Sequence, residues 1–164
     1  MANPHQKPFW HGSKLTSNLI ARGQGFAPFL EVAMIVVTLF VLLLYFVQTF
    51  VPTAIMSRAM GPEAMHYAGG PRDEQLKLTV KAARAKRALE NMKEAMLVFL
   101  PLALLSVQLG LNGGLAWWGA AMFLLARVAY VPAYITSIGF TRSLVWTIGH
   151  IGLGMMAIAL FKAI

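Results

Sequence analysis

The sequence predicts an all-α integral membrane protein, a four-transmembrane-helix up-and-down bundle, on three observations. Of its 164 residues 58% are hydrophobic and only 12% charged, far from the roughly one-quarter charged composition of a water-soluble domain. Three long stretches are almost free of charge, Val32 to Met56, Gly114 to Ile138 and Ser143 to Phe161, and each is long enough to cross a hydrocarbon core of roughly 30 Å. A fourth, Ala95 to Leu111, is shorter, but the residues before it extend it as a helix.

Taken in order, residues 1–25, "MANPHQKPFWHGSKLTSNLIARGQG", are polar to mixed. The apolar run that follows is too long for a secretory signal and offers no small-residue cleavage site. This segment is expected to lie along the interface, with Phe9 and Trp10 as anchors. Residues 26–164 then form the membrane domain. Its first span leads into the long connection "SRAMGPEAMHYAGGPRDEQ", whose Gly and Pro content predicts a loop, with "GGPRDE" as an acidic first turn of the second helix. "KLTVKAARAKRALENMKE" contains no Gly or Pro and is rich in good helix formers, so the second helix is expected over Gln75 to Gln108, about 50 Å at 1.5 Å per residue. Its first half must stand at or beyond the headgroups. "LNGG" is a tight turn, and the last connection falls near "TSIGFTR". Pro101 and Pro132 remove backbone donors inside their helices and predict kinks. Gly149, Gly152 and Gly154 suit close helix approach.

The net charge of +8 is unevenly placed: eight of the fourteen Lys and Arg lie between Arg58 and Lys93, and the Leu111 to Leu115 turn has none. That asymmetry puts the first and third connections in the cytoplasm and both termini on the far side. A basic band at a membrane surface meets anionic lipid or an anionic ligand; nucleic acid is not the partner this distribution suggests. The chain has no cysteine, which excludes disulfides and thiol nucleophiles of its own. His66 and His150 have no second ligand at helical spacing, so no metal is expected.

The polar groups inside the spans carry the chemistry. Arg84, Arg87, Asn91 and Glu94 share an arc of about 80° on the second helix, and Arg127, Tyr130 and Tyr134 share a face of the third. Arg142 and Ser143 open the fourth. A charge at mid-bilayer costs about 2.5 to 3.5 kcal/mol on insertion scales, so such residues face a bundle interior and pair. Arg87 or Arg127 with Glu94 is the ion pair that would satisfy this. Four arginines against Glu90 and Glu94 still leave a positive surplus, which an anionic guest would relieve.

"RALENMKE" fits an R-A-x-x-N-x-x-E pattern and resembles the second helix of the MAPEG family, the membrane-associated proteins of eicosanoid and glutathione metabolism. "ARVAYVPAY" followed by "TRS" is similar to that family's third helix and the start of its fourth, and the "GGPRD" loop resembles bacterial members. The resemblance covers about residues 30 to 160. It implies a homotrimer with glutathione as co-substrate between subunits, in a bacterial cytoplasmic (inner) membrane, and activities such as glutathione transfer, peroxide reduction or isomerisation of a lipophilic substrate. Arg87, Asn91 and Glu94 would hold the glutathione peptide, and Arg84 extends the same stripe. Arg127, Tyr130 and Tyr134 would continue the pocket. Arg142 matches the arginine that stabilises the thiolate, Ser143 a serine used by some isomerases, and Arg58 would reach the mouth of the site. Glu90 departs from the pattern, standing where some prostaglandin synthases of the family carry an arginine; pairing with Lys86 or Lys93 at helical spacing would neutralise it. One arginine is sufficient for the thiolate: ionising a thiol of pKa about 8.5 at neutral pH needs roughly 2 to 3 kcal/mol, and a unit charge about 4 Å away supplies about 4 kcal/mol at an effective dielectric near 20.

Two other function classes fit the residues. A non-enzymatic relative, an assembly or lipid-binding subunit, would keep the stripe for register alone, and Glu90 favours it. A transporter or anion channel would line its path with buried arginines, but no polar stripe continues through the first and fourth spans. The resemblance leaves room for a larger membrane complex.

Overall fold

The computed structural model describes residues 27–71, 77–136 and 139–164. The N-terminal interfacial segment, the acidic turn expected at Asp73 and Glu74, and the centre of the last connection lie outside the described residues. Within them the chain forms α1 (Ala27–Met60), α2 (Pro62–Gly69), α3 (Val80–Gln108), α4 (Gly114–Thr136) and α5 (Gly139–Phe161). Three helices are long and apolar enough to cross a membrane: α1 over Val32–Met60, α4 and α5. The protein is therefore an integral membrane protein. The charged first half of α3 keeps that helix below the same standard of composition, although its 29 residues exceed a bilayer core in length.

Element boundaries differ from expectation in three places. The long connection is not all loop. Helix α1 runs on through Arg58 to Met60, supported by the Ser57 hydroxyl donating to the Thr53 carbonyl at 3.0 Å. Gly61 then turns the chain at φ 61°, a left-handed conformation that suits glycine, and Pro62 starts α2 with its φ preset for a helix. Helix α3 begins at Val80, because Thr79 takes an extended conformation and its hydroxyl accepts from the Ala82 amide at 3.2 Å, satisfying one of the amides that a helix start leaves without a partner. Helix α5 begins at Gly139 rather than Ser143, since nothing between Phe140 and Ser143 breaks a helix. Pro52, Pro101 and Pro132 all sit inside continuous helices.

The buried residues of α3 are Ala82, Ala85, Ala88, Met92, Ala95, Met96, Phe99, Ala103 and Ser106. Their spacing of three and four draws one stripe down the helix. It meets Met34, Val37 and Val41 of α1, Ala116, Ala120 and Phe123 of α4, and Leu153 and Met156 of α5 in one core. Phe99 and Phe123 stack at its centre, ring centroids 4.7 Å apart. Lipid competes for apolar surface as well as protein does, so small residues that let backbones approach matter more here than bulk hydrophobicity. Gly119 on α4 and Gly152 on α5 show this best: a Cβ on Gly152 would stand 2.6 Å from the Gly119 carbonyl oxygen. Outward-facing Leu97, Leu125, Phe140 and Phe161 are 69 to 80% exposed in the single chain.

Two contacts fix the register of α3. The Thr79 amide donates to Met56 Sδ at 3.4 Å, tying its start to the end of α1, and Arg84 Nη1 donates to the Ile135 carbonyl at 3.2 Å, tying its second turn to the end of α4. The helices alternate in direction, and the end bearing Arg58, Lys77, Arg84 and Arg142 is a single end of the bundle.

Candidate functional site

Arg127 is the largest side chain fully withdrawn from solvent, at 1% exposure. It stands nine residues from the end of α4, about 13 Å along the axis. Its Nη1 donates to Asn91 Oδ1 across to α3 at 2.7 Å. Its Nε and Nη2 are buried with no partner. They face α5 where Gly149 lacks a side chain: a Cβ there would lie 3.8 Å from Nε and 4.0 Å from Nη2. Among the described residues no acid pairs with this guanidinium. Among the described residues the one ion pair is Lys93 with Glu90, at 2.9 Å on the outer face of α3. The pairing of Arg87 or Arg127 with Glu94 considered from the sequence does not form; Arg127 turns inward, and Glu94 and Arg87 are exposed on the outside.

The arginine is held instead by aromatic rings. Its guanidinium lies over Phe123 at 5.0 Å and over Tyr130 at 5.5 Å from the ring centroids. Tyr130 is buried and meets Tyr134, centroids 5.3 Å apart, and the Arg142 guanidinium from α5 covers Tyr134 at 5.0 Å. Phe123, Arg127, Tyr130, Tyr134 and Arg142 therefore form a ladder along α4, with a cation buried in its lower part and another at its open end. Quadrupole attraction between ring faces and guanidinium groups stabilises such stacks by about 0.5 to 2 kcal/mol per contact.

The nine residues singled out in the sequence fall into three groups. Asn91, Arg127, Tyr130, Tyr134 and Arg142 are brought together within the chain. Arg84 is engaged with the last turn of α4, where a cation suits the negative end of the helix dipole. Arg87, Glu94 and Ser143 are exposed, and no hydrogen bond or ion pair joins them to the others among the described residues.

A family model described as the MAPEG family matches residues 33–162. The chain belongs to the MAPEG family. That span takes in α2 to α5 and all but the first six residues of α1, so the Asn91–Arg127 bond and the aromatic ladder both lie within it. MAPEG proteins include glutathione-dependent transferases and peroxidases as well as non-enzymatic members, and they are usually trimeric. No curated protein and no solved structure matches the chain.

Two polar features of this MAPEG chain escaped the sequence reading. Gln48 is 4% exposed with Oε1 unpartnered; counting equal steps back from Met56 and on from Thr79 places it level with Arg87. A lone amide inside an apolar run was its signal. Asn112 and Trp117, at the opposite end, also hold an unpartnered buried polar atom each, and nothing in their sequence context marks them.

Proposed function

We propose that this MAPEG chain is a subunit of a glutathione-dependent membrane transferase or peroxidase that acts on a lipophilic electrophile. The observation that carries the reading is the buried Arg127 guanidinium with two unpartnered nitrogens and no acid beside it. An isolated charge in a low-dielectric interior is costly, and a carboxylate or peptide oxygen of glutathione supplies the missing acceptor. Four spans, with α3 as the fourth, and a homotrimer belong to the same proposal. Arg87 and Glu94 project outward at a depth where lipid would leave them unsatisfied, and a second copy covers them. The recess then closes between chains, with Arg87, Asn91 and Glu94 on one wall and Arg127, Tyr130 and Tyr134 on the other.

Within this reading Arg142 stabilises the thiolate and Ser143 stands beside it. Tyr134 holds the Arg142 guanidinium toward the recess. A lipophilic substrate reaches the thiolate from the bilayer, sulfur bonds to its electrophilic carbon, and the leaving group departs; with a peroxide, sulfur bonds to the distal oxygen as the O–O bond breaks and the alcohol leaves, and a second glutathione thiol then displaces that oxygen as water to give the disulfide. The basic end lies in the cytoplasm of a bacterial inner membrane, and both termini lie on the other side.

The alternative is a non-enzymatic assembly or lipid-binding subunit. Glu90 is the residue that favours it, because a carboxylate there repels the glutathione carboxylates, and its pair with Lys93 at 2.9 Å offsets that charge. Titrating detergent-purified protein with glutathione while following thermal unfolding separates the two. A binder gains about 2.7 kcal/mol at a ligand concentration one hundred times its dissociation constant. No shift at millimolar glutathione would reject the enzyme reading.

A further inference from the structure

One end of the bundle carries a belt of cations, of which Lys77, Lys81 and Lys86 take no part in the proposed glutathione site. Arg58, Lys77, Lys81 and Lys86 are all exposed. The Met56–Thr79 contact ties the end of α1, two residues before Arg58, to the start of α3, two residues after Lys77 and two before Lys81, and Lys86 lies five residues further along α3 than Lys81, about 7.5 Å deeper. Lys81 and Lys86 point to different sides of α3, flanking its buried Ala82–Ala85 stripe. The sequence from Arg58 to Arg87 holds seven Lys or Arg against three acids. At the opposite end of the bundle Lys162 is the one Lys or Arg among the described residues.

Apolar side chains interleave the belt. Leu78 is 42% exposed, Val80 67% and, at the same end on α5, Phe140 80%. An exposed "KLTVK" segment with cations at Lys77 and Lys81 around Leu78 and Val80 suits neither water alone nor hydrocarbon alone. It suits the boundary, with lysine stems along the acyl chains and ammonium groups at the phosphates.

We propose that this belt binds acidic phospholipid headgroups and selects them over zwitterionic ones. The geometry favours a lipid layer over a soluble anion. The cations lie on different sides of α3 and, from Lys81 to Lys86, differ in depth by about 7.5 Å, so no single compact anion touches them all, whereas a layer of headgroups meets them together. Each Lys or Arg held near an anionic membrane surface favours it about fivefold. The effect falls away beyond a screening length of about 8 to 10 Å at ordinary ionic strength.

The test uses the full chain in phosphatidylcholine vesicles, with tryptophan quenching by brominated phosphatidylglycerol against brominated phosphatidylcholine giving relative association constants. At low salt the native chain is expected to prefer phosphatidylglycerol at least fivefold, and about 0.5 M sodium chloride should reduce the preference nearly to one. The combined Lys77→Gln, Lys81→Gln and Lys86→Gln variant should fall within twofold of no preference. The matching Lys→Arg variant should retain it, and Lys162→Gln should leave it unchanged. The salt titration needs no variant and decides the matter should the triple substitution disturb folding. A native ratio near one at low salt, a preference that survives both salt and the glutamine variant, or its abolition by inorganic phosphate at an ionic strength where chloride has little effect would each overturn the proposal. The last result would point to a soluble anion, and selective displacement by an acidic peptide to a protein partner.

Discussion

The hydrogen bond between Arg127 and Asn91 should respond very differently when removed from its two ends. In Asn91→Leu the guanidinium stays buried and loses its single partner, and a charge-assisted hydrogen bond of this kind is worth about 1.5 to 3 kcal/mol. In Arg127→Met the same bond disappears, together with two ring contacts worth about 0.5 to 1 kcal/mol each. The unpaired charge disappears as well, and keeping it within the membrane costs about 2.5 to 3.5 kcal/mol. The losses and the gain nearly cancel. Half-buried Asn91 can meet water once its partner is gone. The two variants should therefore differ by about 1 to 2 kcal/mol, which at roughly 2 to 4 °C per kcal/mol for a chain of this size is about 2 to 8 °C in melting temperature. Circular dichroism melts in a neutral detergent without glutathione read this directly. Arg127→Met is expected to melt close to the native chain and Asn91→Leu well below it, and both should lose the stabilisation that glutathione confers. If Arg127→Met melts as low as Asn91→Leu, or lower, the guanidinium is fully satisfied in the resting protein and the inference of a site short of an acceptor fails.

Other expectations can be checked alongside it. Arg142→Ala should abolish glutathione conjugation while subunit assembly, followed by size-exclusion chromatography, stays intact; conjugation by an assembled Arg142→Ala protein would remove this residue from the chemistry. Glu90→Gln should tighten glutathione binding severalfold in calorimetric titration, with little change in melting temperature, because a solvent-screened pair with Lys93 adds little to stability. Gly152→Ala should lower stability by about 1 to 3 kcal/mol, since its new Cβ would meet backbone at 2.6 and 3.0 Å and backbone cannot step aside as a side chain can. Gly154→Ala, with nothing within 4 Å, should stay within about 0.5 kcal/mol of native.

The spans were legible because apolar length is a one-dimensional property, and α1, α4 and α5 follow it closely. The stripe on α3 was legible only as an angle. Arg87, Asn91 and Glu94 do share a face, but that arc straddles the rim of the bundle, so Asn91 reaches inward to Arg127 and the other two look outward. Which side of the rim a residue takes depends on where α4 packs, and no spacing within α3 encodes that. The same limit explains the ion pair that did not form: charge complementarity suggested Glu94 for Arg127, whereas packing delivered a neutral amide. Gly149 could be read as a packing residue from its type. Its position against the Arg127 guanidinium, where it leaves space for a planar group, depends on the register of α4 against α5. Glu90 with Lys93 was the easiest contact to foresee, because both ends lie on one helix three residues apart.

The Gly119–Gly152 crossing brings the α4 and α5 backbones together near one end of the bundle. From that crossing to Tyr134 is fifteen residues, about 22 Å of lever arm. A tilt of only about 5° about the crossing swings the tyrosine end by roughly 2 Å, enough to slide the Arg142 guanidinium off its ring while the Phe99–Phe123 stack barely moves. In the proposed enzyme such a tilt would grip or release a ligand of the recess at the basic end of the molecule.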